Sequence, residues 1–583
     1  MPVRRMTIRQ AVDYFNSLET DSSGSEDEAE STQHAGGDAA LAMSNDEQNS
    51  DLSDGEVVVE HADDSDNSDT SSDSSDVESD GVTSDSANYF TAPNELRWNL
   101  TSPPPRRLMR DILNFRPGVT FSPRSEEESF LLLLDENILR TILLYTNRRM
   151  RASGKTVFTF AELKAGIAIL IRSGADKDNL SDLSTLFSPY DSRPFYRCAM
   201  SKNRFRLFLR YLTFDNKGDR RQRQVSDKMA AIREIWDLFQ MNIRKFYVPS
   251  ERITVDEQLY GYRGYSPGRC YMSSKPAKYG IKFFWLCDAK NGYALAGTIY
   301  SGKASDGRRE TGLAEKTVVS LTSFYNKSGR NVFVDRYFTS HSLCLTLLQN
   351  GLTMTGTIMA SRRDVPKELK TVKDRSLYST TELWDGENRI MLLSYVPKKG
   401  KNVLLMSSAH SSAGIQTERE DKKPAAIHEY NQGKGGVDVL DSCIEDFTTK
   451  RKTNRYPLVI FFNILDVSVY NGFLLCKESE SAVDTKCRRQ YMKRLAAALA
   501  KDNMSIRMQN PRVFSQSKES FARFGLFKEA PTTMIMQNED NKRPKQCSMC
   551  RRTTRSSCDT CKKRICTVHK ITTIQCLNCI CRQ

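Results

Sequence analysis

Apolar residues follow two spacings along this chain, one helical and one strand-like. Phe130, Leu134, Ile138 and Ile142 recur every four residues, and Ile232, Ile235, Trp236 and Phe239 form a second stripe. Both predict helices with one face in a core, within a helical region from about 106 to 250. Inside it, residues 200–212 read as an amphipathic basic helix, its cations suited to solvent or to phosphate.

After Ser250 the period falls to two. Residues 252–256 alternate like a half-buried strand, and 281–286 form an apolar strand. Asn291-Gly292 marks a hairpin turn, with 294–300 as the return strand. Ala314, Val318, Leu321 and Tyr325 predict a helix, followed by a strand at 331–335, a helix at about 340–350 and a strand at 354–359. This β-β-β-α-β-α-β order is that of a ribonuclease H-like sheet, in which strands one and four lie side by side and parallel. Asp256 and Asp335 are expected to end those strands and to emerge at one edge. Residues 361–427 are polar, strand-like and rich in Lys and Gly, and read as an inserted β subdomain. Lys434-Gly-Gly-Val-Asp-Val-Leu-Asp441 then opens a helix that carries Asp438 and Asp441 on one face. From 450 the chain is helical and basic again. Its richest apolar window, 458–475, is broken by Asn463, Asp466 and Asn471 and predicts a buried core helix, not a membrane span.

Charge divides the chain more sharply. Residues 1–90 hold 23 acidic and three basic side chains, a net of −20, and the remainder holds a net of +34. Residues 19–90 have no basic side chain and almost no aromatic ring, so they cannot bury enough apolar surface to fold. Pro103-Pro104-Pro105 is expected to close this tail. A basic body of this size points to a polyanion, with nucleic acid as the first candidate. No apolar run follows the three N-terminal arginines, so no signal peptide is expected. Seven of the 15 cysteines are scattered singly, which suits a reducing compartment, and eight crowd between Cys547 and Cys581.

Two constellations carry chemistry. Asp256, Asp335 and Asp438, with Asp441 as support, fit a pair of Mg²⁺ or Mn²⁺ ions, which take hard oxygen ligands and clamp an in-line phosphoryl displacement. Glu257 is assigned to the other strand face and set aside. The loop that follows, with Arg263, Arg269, Lys275 and Lys278 among tyrosines, suits phosphates and splayed bases. In the second constellation Cys547/Cys550, Cys558/Cys561, Cys566/His569 and Cys576/Cys579 are four ligand pairs of zinc-finger spacing. Eight ligands fit two Zn²⁺ ions, and the short spacers favour a cross-brace with the first and third pairs on one ion. Such a finger suits DNA or a protein partner; a ubiquitin-ligase scaffold is the remote alternative.

The segments 254–264, 274–282, 334–340, 430–438 and 451–457 together resemble the signature blocks of piggyBac transposases, in order, over about 105–583. The resemblance implies a cut-and-paste DNA transposase whose catalytic triad falls on Asp256, Asp335 and Asp438. It also implies excision through hairpinned ends, insertion at TTAA, and a homodimer on double-stranded DNA in the nucleus. Arg362, Arg363, Lys434, Arg451, Lys452, Arg455 and Tyr456 join the loop cations as candidate DNA contacts. Met359 stands where many relatives carry Arg, which implies weaker strand transfer with excision retained. The alternative is a domesticated DNA-binding protein that has lost integration.

The expected organisation is an acidic tail (1–103), a helical dimerisation and DNA-binding segment (104–250) and a catalytic domain in two parts (251–360 and 428–449) around an insertion (361–427). A second helical segment (450–527), a linker (528–546) and a Cys-rich finger (547–583) complete it.

Overall fold

The computed structural model describes residues 60–61, 88–104, 116–302, 312–479, 487–510, 520–521, 545–550, 552–554, 563 and 566–569. At its centre is a mixed sheet whose main strands are β1 (Arg252–Gly261), β2 (Tyr279–Asp288), β3 (Ala294–Ile299), β4 (Asn331–Val334), β5 (Thr353–Thr357), β6 (Thr380–Trp384), β7 (Met391–Lys398) and β8 (Lys401–Ser407). Their spatial order is β2-β1-β4-β5-β8-β7-β6, with β3 paired to β2. β1, β4 and β5 are mutually parallel, and β1 is antiparallel to β2. The expected parallel pairing of the first and fourth strands is therefore present.

The crossover from β3 to β4 runs through the Leu313–Thr322 helix, and that from β4 to β5 through His341–Gln349. Gly292 makes the β2–β3 turn at φ +72°, a backbone conformation that favours glycine.

The 361–427 region is β-rich as expected, and its strands continue the central sheet, because β8 pairs with β5. It has a second apolar core, in which Trp384, Met391, Leu393, Tyr395 and Leu405 pack with Ile427 and Tyr430 and with Phe333 of β4.

The boundary of the N-terminal tail needs correction. Tyr89–Thr91 and Arg97–Asn99 form a hairpin that adds to the far edge of the sheet beside β6. Trp98 is fully buried and donates its indole N–H to the Asp364 carbonyl at 2.9 Å. Phe90, Ala92 and Trp98 anchor this hairpin, the first two from its outer strand and turn and the third in the core. Glu60–His61 pairs in parallel with Cys270–Tyr271 at the opposite edge; most of the tail lies outside the described residues.

Helices from two distant parts of the chain surround the sheet. The expected stripe from Phe130 to Ile142 spans two helices, Glu126–Leu131 and Glu136–Ala152, with Asp135 capping the second through the Ile138 N–H. The Tyr456–Glu478 helix runs through the core; it is apolar enough to cross a membrane, yet its most apolar window is wholly buried in the protein. Each of its polar interruptions grips a neighbour. Asn463 donates to Gln258 at 2.9 Å, and Asn471 bridges the backbone N–H and C=O of Ala294. Asp466 accepts from Tyr260, Thr448 and the Thr449 N–H. The Arg488–Gln509 helix closes the bundle against Phe160–Asp176, and the Tyr491 and Ser129 hydroxyls meet at 2.9 Å.

Candidate active site and cysteine cluster

The parallel pairing of β1 and β4 ends at Val255 opposite Val334. The next residue on each strand is an aspartate. Asp335 follows the end of β4, as expected. Asp256 lies within β1, not at its end, because β1 continues to Gly261 against β2. Both nonetheless sit where the parallel ladder stops.

The third aspartate reaches this edge through two close backbone approaches. Thr254 donates its hydroxyl to the Gly433 carbonyl. A Cβ at Gly433 would meet the Phe333 ring at 2.5 Å, and one at Gly436 would meet the Thr254 hydroxyl at 2.9 Å. Gly433 thus lets the chain pass close over β4, and Gly436 seats the Gly436–Asp446 helix on β1, beside β2, with the exposed Asp438 in its first turn.

The carboxylates act on one another. Asp256 is raised well above the usual carboxylate range by burial, then by the charges of Glu257, Asp335 and Asp438. Asp335 is pushed up to about 6 by burial and the Glu257 charge, although the Tyr337 and Phe338 amides donate to it. Asp441 is raised by burial, opposed by the Gln258 side chain, which donates to it at 2.8 Å, and by Lys275. Gln258 is itself fixed, since its carbonyl accepts from Trp285 at 3.0 Å and from Asn463.

Glu257 was set aside on strand alternation, yet its charge acts on both Asp256 and Asp335. Lys282 of β2 faces it at 3.5 Å and lies over the rings of Phe284 and Tyr337. Alternation gives the face of a side chain, not the reach of its charge. The register Gln258↔Phe283, which brings Lys282 beside this strand, depends on a pairing that sequence does not print.

The candidate DNA contacts divide by exposure. Arg263, Lys278, Arg363 and Lys452 are exposed. Arg269, Lys275, Arg362 and Lys434 are half-buried, and Arg269 donates to the Arg263 and Gly264 carbonyls, which shapes the loop. Two assignments are corrected. Arg451 is buried and donates to the Ser181 carbonyl. Arg455 donates to the carbonyls of Leu209, Arg210 and Leu212, fastening the end of the Lys202–Tyr211 helix. A helix end has unpaired carbonyls, and the Arg455 guanidinium satisfies them. Tyr456 packs at the start of its helix, its hydroxyl on the Lys228 carbonyl at 3.3 Å. Arg149, Lys217, Arg220 and Arg455 also stand close enough for their charges to interact, a cation cluster from dispersed segments that no sequence run announces.

In the C-terminal region Cys547, Cys550, Cys566 and His569 each bring one ligand atom within 4.8 Å of the others, the only such group among the described residues. These are the first and third of the four pairs. Lys545–Gln546 and Thr553–Thr554 form a short antiparallel ladder that turns the first pair inward. The Cys566 N–H donates to Cys547 Sγ at 3.3 Å, and the Cys547 thiol is lowered to about 6 by backbone amides, that of Met549 foremost. Three thiols and an imidazole make a soft, tetrahedral-type donor set that fits zinc. Cys558, Cys561, Cys576 and Cys579 lie outside the described residues.

Residues 125–473 match the family model described as Transposase IS4. Among curated proteins, the human "PiggyBac transposable element-derived protein 2" is 24% identical over 423 residues, covering 68% of this chain and 68% of the relative. The human "PiggyBac transposable element-derived protein 3" is 25% identical over 434 residues, covering 67% of this chain and 72% of the relative. A solved structure, the cryo-EM piggyBac transposase synaptic complex with hairpin DNA, superposes with a TM-score of 0.71 at 30% identity, covering 79% of this chain and 99% of that one. With the family model spanning more than half of its length, and with these relatives, the chain belongs to the piggyBac-type transposases.

Proposed function

We propose that this protein is a DNA transposase that cuts and rejoins DNA at a ribonuclease H-like site formed by Asp256, Asp335 and Asp438. The observation that carries the reading is the placement of Asp256 and Asp335 directly after the paired residues Val255 and Val334, with the Asp438 charge acting on Asp256. Acids crowded this way repel one another, and that repulsion is relieved by a cation. Magnesium or manganese ions, when bound, would supply that charge and the electrophilic pull on a phosphodiester.

The chain's own part is positional. β1 and β4 hold two carboxylates rigidly, and the Gly436–Asp446 helix brings the third. Gln258 keeps Asp441 turned toward them, and Lys275 and Lys282 balance the surplus negative charge. The exposed Arg263, Lys278, Arg363 and Lys452 are suited to the phosphates of double-stranded DNA. Zinc held by Cys547, Cys550, Cys566 and His569 would fold a finger for reading a transposon end, and a homodimer acting in the nucleus completes the reading.

One observation favours a second reading. Both curated relatives are named as derived from transposable elements, so a domesticated DNA-binding protein is the rival. An excision assay decides between them: a reporter gene is interrupted by a cassette bounded by the repeats that flank this coding sequence, and repaired donor is counted. Restored donor that disappears in Asp335→Asn supports the transposase. Equal restoration in both proteins, or none with the wild type, rejects it.

A further inference from the structure

Lys282 is a buried charge in an aromatic setting. It lies within β2, its ammonium 4.9 Å from the centre of the Phe284 ring and 5.3 Å from that of Tyr337. Phe338 packs edge-on against both of these rings. Its ion-pair partner is Glu257 at 3.5 Å, the residue after Asp256. A second lysine of the same segment, Lys275, donates to the Glu257 carbonyl at 3.3 Å.

Stability alone does not explain this pair. Replacing a buried ion pair with apolar side chains is often neutral or stabilising, and a methionine would fill the ring-lined space with no charge to bury. What the pair adds is a field at the carboxylates. The Tyr337 ring beside the ammonium belongs to the residue whose N–H donates to Asp335 at 2.9 Å. After burial, the Glu257 charge raises the Asp335 carboxyl and the Lys282 charge opposes it. The two partners thus act on one aspartate with opposite sign. Rings and carboxylate hold the ammonium where a cation arriving at Asp335 meets its charge.

We propose that Lys282 is a fixed counterion of the Asp256–Asp335 site, tethered by Glu257, which lowers the affinity of that site for divalent cations. Lys282 coordinates nothing itself and sets the affinity from beside the ligands. The inference rests on the proposed metal-bearing transposase site and adds to it a residue that tunes how readily it loads.

The test measures Mn²⁺ binding to the full chain, without DNA, from the loss of the free-ion electron paramagnetic resonance signal. The part removed by Asp335→Asn is assigned to this site. Lys282→Met should tighten that binding by about tenfold, the scale of one unit charge withdrawn from the surroundings of a divalent ion. Glu257→Gln should weaken it by a similar factor, and the double variant should stay within about threefold of wild type. A purely structural pair would weaken binding in both single variants. Should Lys282→Met melt early, its effect is read in the Glu257→Gln background, where no carboxylate is left unpaired and the same tenfold gain is expected. Unchanged or weaker binding on loss of Lys282 in that background overturns the proposal. The two readings fail in different ways. Wild-type binding untouched by Asp335→Asn rejects the metal site and this inference with it, whereas binding that Asp335→Asn removes but loss of Lys282 does not tighten rejects the counterion alone.

Discussion

Val255 and Val334 face one another across two parallel strands, and each is followed by an aspartate. This single register couples two residues 79 positions apart in sequence. A one-residue slip would turn one of the two carboxylates to the opposite face of the sheet. The site is therefore as exact as the ladder beneath it.

Replacing any one of Asp256, Asp335 or Asp438 with Asn keeps the shape and removes a ligand charge. Each variant should lose strand cleavage by at least about 10³-fold, the scale expected when charge stabilisation is withdrawn from a reacting site. Affinity for DNA should stay within about threefold. Nicking of a supercoiled plasmid, measured beside a binding isotherm, checks both halves, and a variant that still cleaves at the wild-type rate removes that residue from the site.

The same charges govern stability against pH. The folded-state pKa of Asp335 is raised to about 6 from 3.8, so the folded protein holds this proton more tightly than the unfolded chain. Its contribution is full below about pH 4 and is lost as pH rises through about 6. In metal-free protein, Asp335→Asn should be the more stable chain at pH 7.5, by at most about 3 kcal/mol. That advantage should shrink as pH falls to 4. Chemical denaturation at both pH values reads the difference, and an advantage that grows on acidification contradicts the assignment.

Arg455 and Lys452 should part company. Arg455→Ala leaves three carbonyls without their donor and should cost about 2–3 kcal/mol of stability. Lys452→Ala should leave melting unchanged and weaken DNA binding, reducing the slope of log K against log salt by about one. Thermal melts and a salt titration of both variants separate a structural cation from a binding one.

Zinc should be confined in its effect. Cys566→Ser should release metal and unfold the C-terminal module alone, since Cys566 is not among the residues of the main hydrophobic core. Metal should be retained at neutral pH and released on acidification, because protons compete with it for the three thiolates and the imidazole. Mass spectrometry of the intact protein counts the metal, and a chelator that lowers the main melting transition would contradict the separation.

Removing residues 1–87 deletes all 23 acidic side chains of the tail and leaves the Trp98 hairpin in place. This truncation should bind DNA more tightly at low salt with an unchanged melting temperature. Trp98→Ala in the full chain should cost about 3–5 kcal/mol, the usual price of emptying an aromatic core position. Weaker DNA binding after truncation would make the tail a contact.

The elements legible in advance are those with strong periodicity or a turn dipeptide: β2, the Asn291-Gly292 hairpin, β4 and the helix through 458–475. Asp335 and Asp438 each stand at a change of period, whereas Asp256 lies inside a strand that runs on to Gly261. The hairpin of Tyr89–Thr91 and Arg97–Asn99 was hidden, since one buried tryptophan in a polar stretch has no periodicity. Arg451 and Arg455 misled because positive charge in a sequence looks the same whether it faces phosphate or a backbone carbonyl. The part played by Glu257 depends on strand register, which sets Lys282 beside it.

The long core helix also bears on how the protein is made. Its partners, the helices that begin at Glu126, leave the ribosome more than 300 residues before it does. Until residue 478 has been synthesised, those early helices display the apolar faces meant for it, and the sheet between them lacks its backing. Such long-range closure is slow and prone to aggregation. Nascent chains stalled before 456 should therefore bind chaperones and resist compaction, and a late pause in translation would be harmless while an early release would not.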